Sequence, residues 1–179
     1  MATLLIVGAR EFLKASAAIA SFGDAVFDAG LNVLNRRLSD LGKALRIPLD
    51  GKKIKEYPEH GYIGSGDDGT HTSVGPYISL PDWNYFHLYV WWRTGQDHRE
   101  LCSAVASLGC KNRSLAEAVY RAVHKCSRGT AKKDDYEIYL EKPLKPEDFE
   151  RLESHFELLI QQWIKYGETI GGLRKYLKC

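Results

Sequence analysis

The chain has 179 residues, 44% of them apolar and 27% charged, with a formal net charge of +2 at neutral pH. That length suits one sizeable core and is short for two, and the composition leaves little room for long disorder. The apolar stretch nearest the N-terminus, Thr3 to Val7, runs straight into Arg10, Glu11 and Lys14. It is too short for a membrane span and lacks the layout of a signal peptide.

Four cysteines, Cys102, Cys110, Cys126 and Cys179, follow no CxxC spacing. A domain of this size needs no disulfide staples, so the expected setting is the reducing cytoplasm. Charge is unevenly distributed. From Arg93 to Lys133 there are nine Lys/Arg against three Asp/Glu, and from Asp134 to Leu158 three against nine. Such segregation produces either oppositely charged surfaces or two stretches that neutralise each other in the fold.

In chain order, Ala9 to Ser21 is alanine-rich and helix-compatible, and Gly23 is expected to separate it from a second helical piece. Phe27, Leu31, Leu34, Leu38, Leu41 and Leu45 then recur at steps of four and three, which places them on one stripe of a helix from Phe22 to Leu45. Ser21 and Asp24 resemble a capping box at its start, and Pro48 stops it. Residues 50–75, including GYIGSGDDGTHTSVG, dissolve into charge and glycine and read as a long loop, a lid or a mobile connection. Within it Asp67, Asp68 and His71 are residue types that hold divalent cations, although a DDG sequence is ordinarily a turn.

Pro76 to Leu80, a PDWN turn and Tyr85 to Trp92 read as a β-hairpin, because aromatic and β-branched residues alternate around the turn. Two shorter helices are expected over Asp97 to Leu108 and Ser114 to Lys125, the second opened by a Ser114/Glu117 capping box. YEIYLEK, Tyr136 to Lys142, reads as a third strand. The last segment carries Phe149, Leu152, Phe156, Leu159, Trp163, Tyr166, Ile170, Leu173 and Leu177 at helical spacing, with Pro146 and three acidic residues at its N-terminal end. Gly167, Gly171 and Gly172 weaken its final turns.

The expected architecture is therefore a single α+β domain over residues 1–179. A small, mainly antiparallel sheet of about three strands packs against long N- and C-terminal helices. Alternation sorts the strand residues into two faces. Ile78, Leu80, Phe86, Leu88, Val90, Trp92, Ile138 and Leu140 form the core face. Tyr77, Ser79, Tyr85, His87, Tyr89, Trp91, Glu137, Tyr139 and Glu141 form the other.

That second face suits two chemistries. Tyr85, Tyr89, Trp91 and Tyr139 are rings on which a base or sugar can stack, and His87 with Glu137 or Glu141 offers an acid–base pair. A covering helix or simple cross-strand pairing would also explain the rings. The LGCKNRS turn between the two mid-chain helices resembles a helix-turn-helix that would present Lys111, Arg113, Arg121 and Lys125 to a phosphate backbone. Cys102, Cys110, His124 and Cys126 are zinc-ligand types, but their expected helical settings are unlike those of structural zinc sites. The helical stripes would also serve a coiled-coil homodimer, although the wide C-terminal stripe favours burial within one chain.

The chain carries no nucleophile elbow, Walker loop, Rossmann fingerprint, zincin helix or EF-hand pattern. The expected function is a non-enzymatic binding or regulatory protein that recognises a macromolecular partner, nucleic acid or protein, with no membrane contact and no cofactor. Nucleic acid would contact the basic segment 93–133. The alternatives are a hydrolase or nuclease-like enzyme using His87 with Glu137 or Glu141, and a homodimeric interaction protein.

Overall fold

The computed structural model describes the backbone of residues 2–66, 69–95 and 100–178, and the side chains of residues 13–14, 17–18, 20–55, 73–91 and 102–177. Among the described residues the fold is α+β, with three α-helices and a six-stranded antiparallel sheet. Helix α1 spans Ala2–Leu45, α2 Arg113–Cys126 and α3 Leu152–Thr169. The strands are β1 Ile54–Gly66, β2 Gly69–Ser79, β3 Tyr85–Gly95, β4 Glu100–Gly109, β5 Lys132–Lys133 and β6 Glu137–Pro143. They lie in the order β1-β2-β3-β4-β6-β5.

The sheet is twice as wide as the sequence suggests; besides the two-residue strand β5, two segments account for the difference. Residues 54–66 and 69–75 form strands rather than a loop, after a 3-10 turn at Gly51–Lys53, with β1 and β2 paired from Ile54↔Ile78 to Gly66↔Gly69 and an irregularity between Tyr57 and Tyr62. Asp67 and Asp68 lie outside the described residues, as does the side chain of His71. Residues 100–109 form β4 rather than a helix, while 97–99 lie outside the described residues. β4 pairs with β3 on one side and β6 on the other. Its alanines and serines favour helix or turn weakly, and two flanking ladders override that preference.

α1 runs unbroken through Gly23, so Ser21 and Asp24 lie inside it and cap nothing. Its buried side is Val26, Val33, Leu34, Leu41, Ala44 and Leu45, while Phe27, Leu31 and Leu38 are half-buried. The expected stripe is thus rotated by about one residue. The helix ends where Arg46 takes a φ of +56°, two residues before Pro48. Helix α2 is capped by Asn112, whose side-chain oxygen accepts from the Leu115 N–H at 2.8 Å, and not by Ser114. The C-terminal helix is shorter than its apolar pattern, because Gly171 and Gly172 take positive φ values and turn the chain into a final 3-10 segment.

All three helices contribute to one buried apolar cluster on a single face of the sheet, with Phe86, Leu88, Val90, Ala104, Ala106, Leu108, Ile138 and Leu140. The side chain of Trp92 lies outside the described residues. Trp163 anchors α3 to this face: it is fully buried, donates its indole N–H to the Ala106 carbonyl at 2.9 Å and meets Phe86 edge-on at 5.9 Å. The stripes of α1 and α3 pack on each other within the chain. Gly167 brings the helices close, for a Cβ there would lie 3.0 Å from the Ala44 carbonyl. Arg36 pairs with Glu153 at 2.9 Å, and Arg37 pairs with Glu157. A homodimer built on these two stripes would have to displace that seam.

Candidate functional site

The side of the sheet away from the helices carries the aromatic residues, as alternation predicts. Tyr77 on β2 pairs across to His87 on β3, His87 to Ser107 on β4, and Ser107 to Tyr139 on β6. The neighbouring rows hold Tyr85 with Gly109 and Glu137, and Tyr89 with Val105 and Glu141. Trp91 pairs with Ser103. β4 therefore forms a low floor of Ser103, Val105, Ser107 and Gly109 between a ridge of rings on β3 and the Glu137, Tyr139 and Glu141 side chains of β6.

His87 sits at the centre of a ring cluster. Its ring centroid is 6.3 Å from Tyr77, 6.2 Å from Tyr85 and 4.3 Å from Tyr89, while Tyr77 and Tyr85 lie 6.5 Å apart. Only 5% of His87 is exposed. Burial lowers its pKa from 6.5 to about 3, with hydrogen bonding to the Gly75 backbone working in the opposite direction, so the imidazole is neutral at physiological pH. The four tyrosines and Trp91 are half-buried. Tyr77, Ser79, Asn84, Tyr85 and His87 line a recess of about 330 Å³ at the β2–β3 turn.

Beneath the rings, the Ser107 hydroxyl is fully shielded and lies beside the Tyr89 phenol and the Glu137 carboxyl. Burial, followed by the nearby Glu137 carboxylate, pushes the Tyr89 phenol well above its ordinary range. Burial likewise holds the Glu137 carboxyl above the usual carboxylate range. The Tyr89 phenol therefore keeps its proton and can donate a hydrogen bond.

The acid–base residues are not brought into one pair. β4 separates His87 from both glutamates, and each glutamate lies two residues out of register with it. Strand spacing makes that about 12 Å between Cα atoms. Burial and the Gly75 backbone account for the state of His87, with no contribution from a carboxylate. Glu141 is instead ion-paired with Lys132 of β5.

The proposed nucleic-acid residues lie elsewhere, on α2 and the turn before it. With β4 a strand, no helix-turn-helix forms. Arg113 pairs with Asp135 at 2.6 Å and its guanidinium lies 5.7 Å from the Tyr136 ring centroid. Glu117 accepts from Arg121 at 2.9 Å and pairs with Lys133 at 3.4 Å. Lys111 and Lys125 are exposed, and Lys111 borders an open groove of about 660 Å³ with Asp82, Asn112, Ser114, Tyr176 and Leu177. The basic and acidic stretches thus neutralise each other in part.

Among the described residues no three His, Cys, Asp or Glu side chains gather around a common point suited to a metal. Cys102 on β4 and Cys110 just beyond its end stand eight residues apart, both against the core. Burial, then Glu137, pushes the Cys110 thiol up to about 12, so it stays protonated. His124 instead lies against the Ala131 carbonyl, with Nδ1 3.3 Å away, and Cys126 donates to the Val123 carbonyl. No described helix is long and apolar enough to cross a membrane.

Sequence reasoning missed the floor and rim of the site: Ser107, Gly109 and Asn84. The signal for the floor was present in CSAVASLGC, where Ser103, Ser107 and Gly109 alternate with Ala104, Ala106, Leu108 and Cys110. Comparison with family models, curated proteins and solved structures finds no match to this chain.

Proposed function

We propose that this chain is a non-enzymatic binding protein that recognises a macromolecular partner through the outer face of its sheet. The observation that carries the reading is the row of Tyr77, Tyr85, His87, Tyr89 and Trp91 on the side of the sheet opposite the helical core. Tyrosine and tryptophan supply large, rigid contact area at small entropic cost, and with Ser and Asn nearby they make the composition of a recognition surface. Glu141 is paired with Lys132, and Lys55 stands opposite Tyr77, so the face is dominated by rings and not by positive charge, which favours a protein partner over a phosphate backbone. The neutral His87, set across β4 from both carboxylates, supports binding over hydrolysis.

Affinity capture with three baits tests the reading: wild type, Tyr85→Ala/Trp91→Ala, and Lys111→Glu/Lys125→Glu. A partner held by the wild type and the lysine variant but released by the aromatic variant is the expected result. Release by the lysine variant alone, or salt-dependent binding of DNA or RNA with unchanged affinity in the aromatic variant, would reject it.

A further inference from the structure

We propose that Lys142 is a modification site, a nucleophilic amine that forms an imine with small aldehydes while His155 moves the proton and Asp148 orients the imidazole. Lys142 pairs with Ala104 and so lies on the helical side of the sheet. The inference is therefore independent of the ring-bearing outer face.

The chain delivers the three residues from neighbouring elements. Lys142 is the next-to-last residue of β6, at the margin of the sheet. Just beyond it, the Leu144 N–H donates to the Cys102 carbonyl at 2.8 Å and pins the exit of the strand. A 3-10 helix over Pro146–Arg151 follows, and α3 starts at Leu152. Asp148 on the first and His155 in the opening turn of the second are thereby brought back over the end of β6.

Geometry gives each residue a role. Lys142 Nζ lies 2.6 Å from His155 Nδ1. An ammonium can only donate, so Nδ1 is the acceptor and the ring's own proton is assigned to Nε2. That edge faces Asp148, whose Oδ1 is 3.5 Å away and whose Oδ2 accepts the Lys145 N–H at 2.9 Å. The imidazole is only 7% exposed, and Lys142 is half-buried. A purely structural lysine gains most from a carboxylate set directly against it, whereas here the ring stands between the two. An amine touching a base that a third group orients from behind is the arrangement that activates a weak nucleophile. The long Asp148 contact is of the kind that tightens once the ring becomes charged.

The same arrangement selects the electrophile. Acyl transfer develops an oxyanion that needs its own donors, and the Lys145 N–H beside the cluster is already given to Asp148. Imine formation asks only that a proton leave nitrogen and reach oxygen, which one imidazole can manage. An ammonium proton passes to His155, and the freed lone pair attacks the carbonyl carbon to form the N–C bond. The C–O bond then breaks, and oxygen leaves as water with the proton held by His155 and a second one from nitrogen. The third proton and the positive charge stay on the imine, and nothing is oxidised or reduced.

The test treats the full chain with limiting propanal and cyanoborohydride, which reduces the protonated imine and fixes it as propyl-lysine. Peptide mass spectrometry then gives the rate at each lysine. Lys145 is the internal reference: it is exposed, so access alone would favour it over Lys142. At pH 7 Lys142 is expected to react at least about tenfold faster. The ratio should shrink toward pH about 10, where an unassisted amine loses its proton without help. His155→Gln should bring Lys142 to the Lys145 rate or below it. Asp148→Asn, which can still accept from the Lys145 N–H, should slow Lys142 severalfold, with circular dichroism confirming that each variant is folded. Labelling of Lys142 no faster than Lys145 in the wild-type chain overturns the inference, as does an unchanged ratio in folded His155→Gln. Should His155→Gln fail to fold, an unchanged ratio in Asp148→Asn overturns it instead.

Discussion

The ring of Tyr85 lies over Gly109, its cross-strand neighbour: a Cβ built at Gly109 would come within 2.6 Å of Tyr85 Cζ and 2.8 Å of both Cε atoms. An aromatic ring covering a strand glycine supplies the contact that the missing side chain cannot. The glycine in turn fixes the height at which Tyr85 walls the recess.

Gly109→Ala must therefore push the Tyr85 ring off β4. The expected cost is about 1–3 kcal/mol from overpacking, read from urea denaturation, despite the better strand propensity of alanine. Near-ultraviolet circular dichroism should change with it, since the ring cluster reorganises. Gly109→Ala in a Tyr85→Ala background should cost much less, because the clash has gone.

Trp163 ties the helical layer to the sheet, and its two substitutions should separate packing from hydrogen bonding. Trp163→Phe keeps most of the ring but leaves the Ala106 carbonyl without its indole donor, at a cost of about 1–3 kcal/mol. Trp163→Ala adds a cavity among Phe86 and its neighbours and should cost about 3–5 kcal/mol. Chemical denaturation of both variants reads the difference.

The buried imidazole makes stability depend on acid pH. As pH falls below 6.5 the unfolded chain protonates this histidine, while the folded chain resists until about 3. Stability from this residue is therefore full above 6.5 and declines by about 1.4 kcal/mol per pH unit toward 3. His87→Gln should flatten that part of the profile. Tyr89 acts at the other end: its raised phenol pKa means that the unfolded chain ionises first, so stability falls as pH climbs above 10, and Tyr89→Phe should weaken the fall.

Removing charge from α2 should matter little to the fold. Arg113 and Arg121 form exposed ion pairs, so Arg113→Ala and Arg121→Ala should each leave the melting temperature almost unchanged. Thermal melts at low and high salt check this, and the small difference should shrink as salt rises.

How much of this was legible in the sequence depends on how strongly each segment's side chains specify a period. YFHLYVWW alternates large apolar and amphipathic rings, so Phe86, Leu88 and Val90 could be placed inward and Tyr85, His87 and Tyr89 outward from spacing alone. α3 was equally plain, since Phe156, Trp163 and Tyr166 keep helical steps. β4 was not, because alanine and serine carry little preference, and its strand state comes from β3 and β6 on either side. β1 and the first half of β2, residues 69–75, were hidden by glycine and charge, which ordinarily mark loops, whereas the second half was read as a hairpin strand. The site was half legible for the same reason: its ridge of rings comes from alternation, whereas its floor required knowing that residues 100–109 are extended.

The most direct test of the account is site-specific photo-crosslinking, which asks which side of the sheet meets the partner. A benzophenone amino acid is placed at Ser79, exposed at the rim of the aromatic face, or at Glu168, exposed on α3. The account predicts a discrete crosslinked species from position 79, abolished by Tyr85→Ala/Trp91→Ala, and none from position 168. Crosslinks from 168 alone, or from 79 with undiminished yield in the aromatic variant, would contradict it.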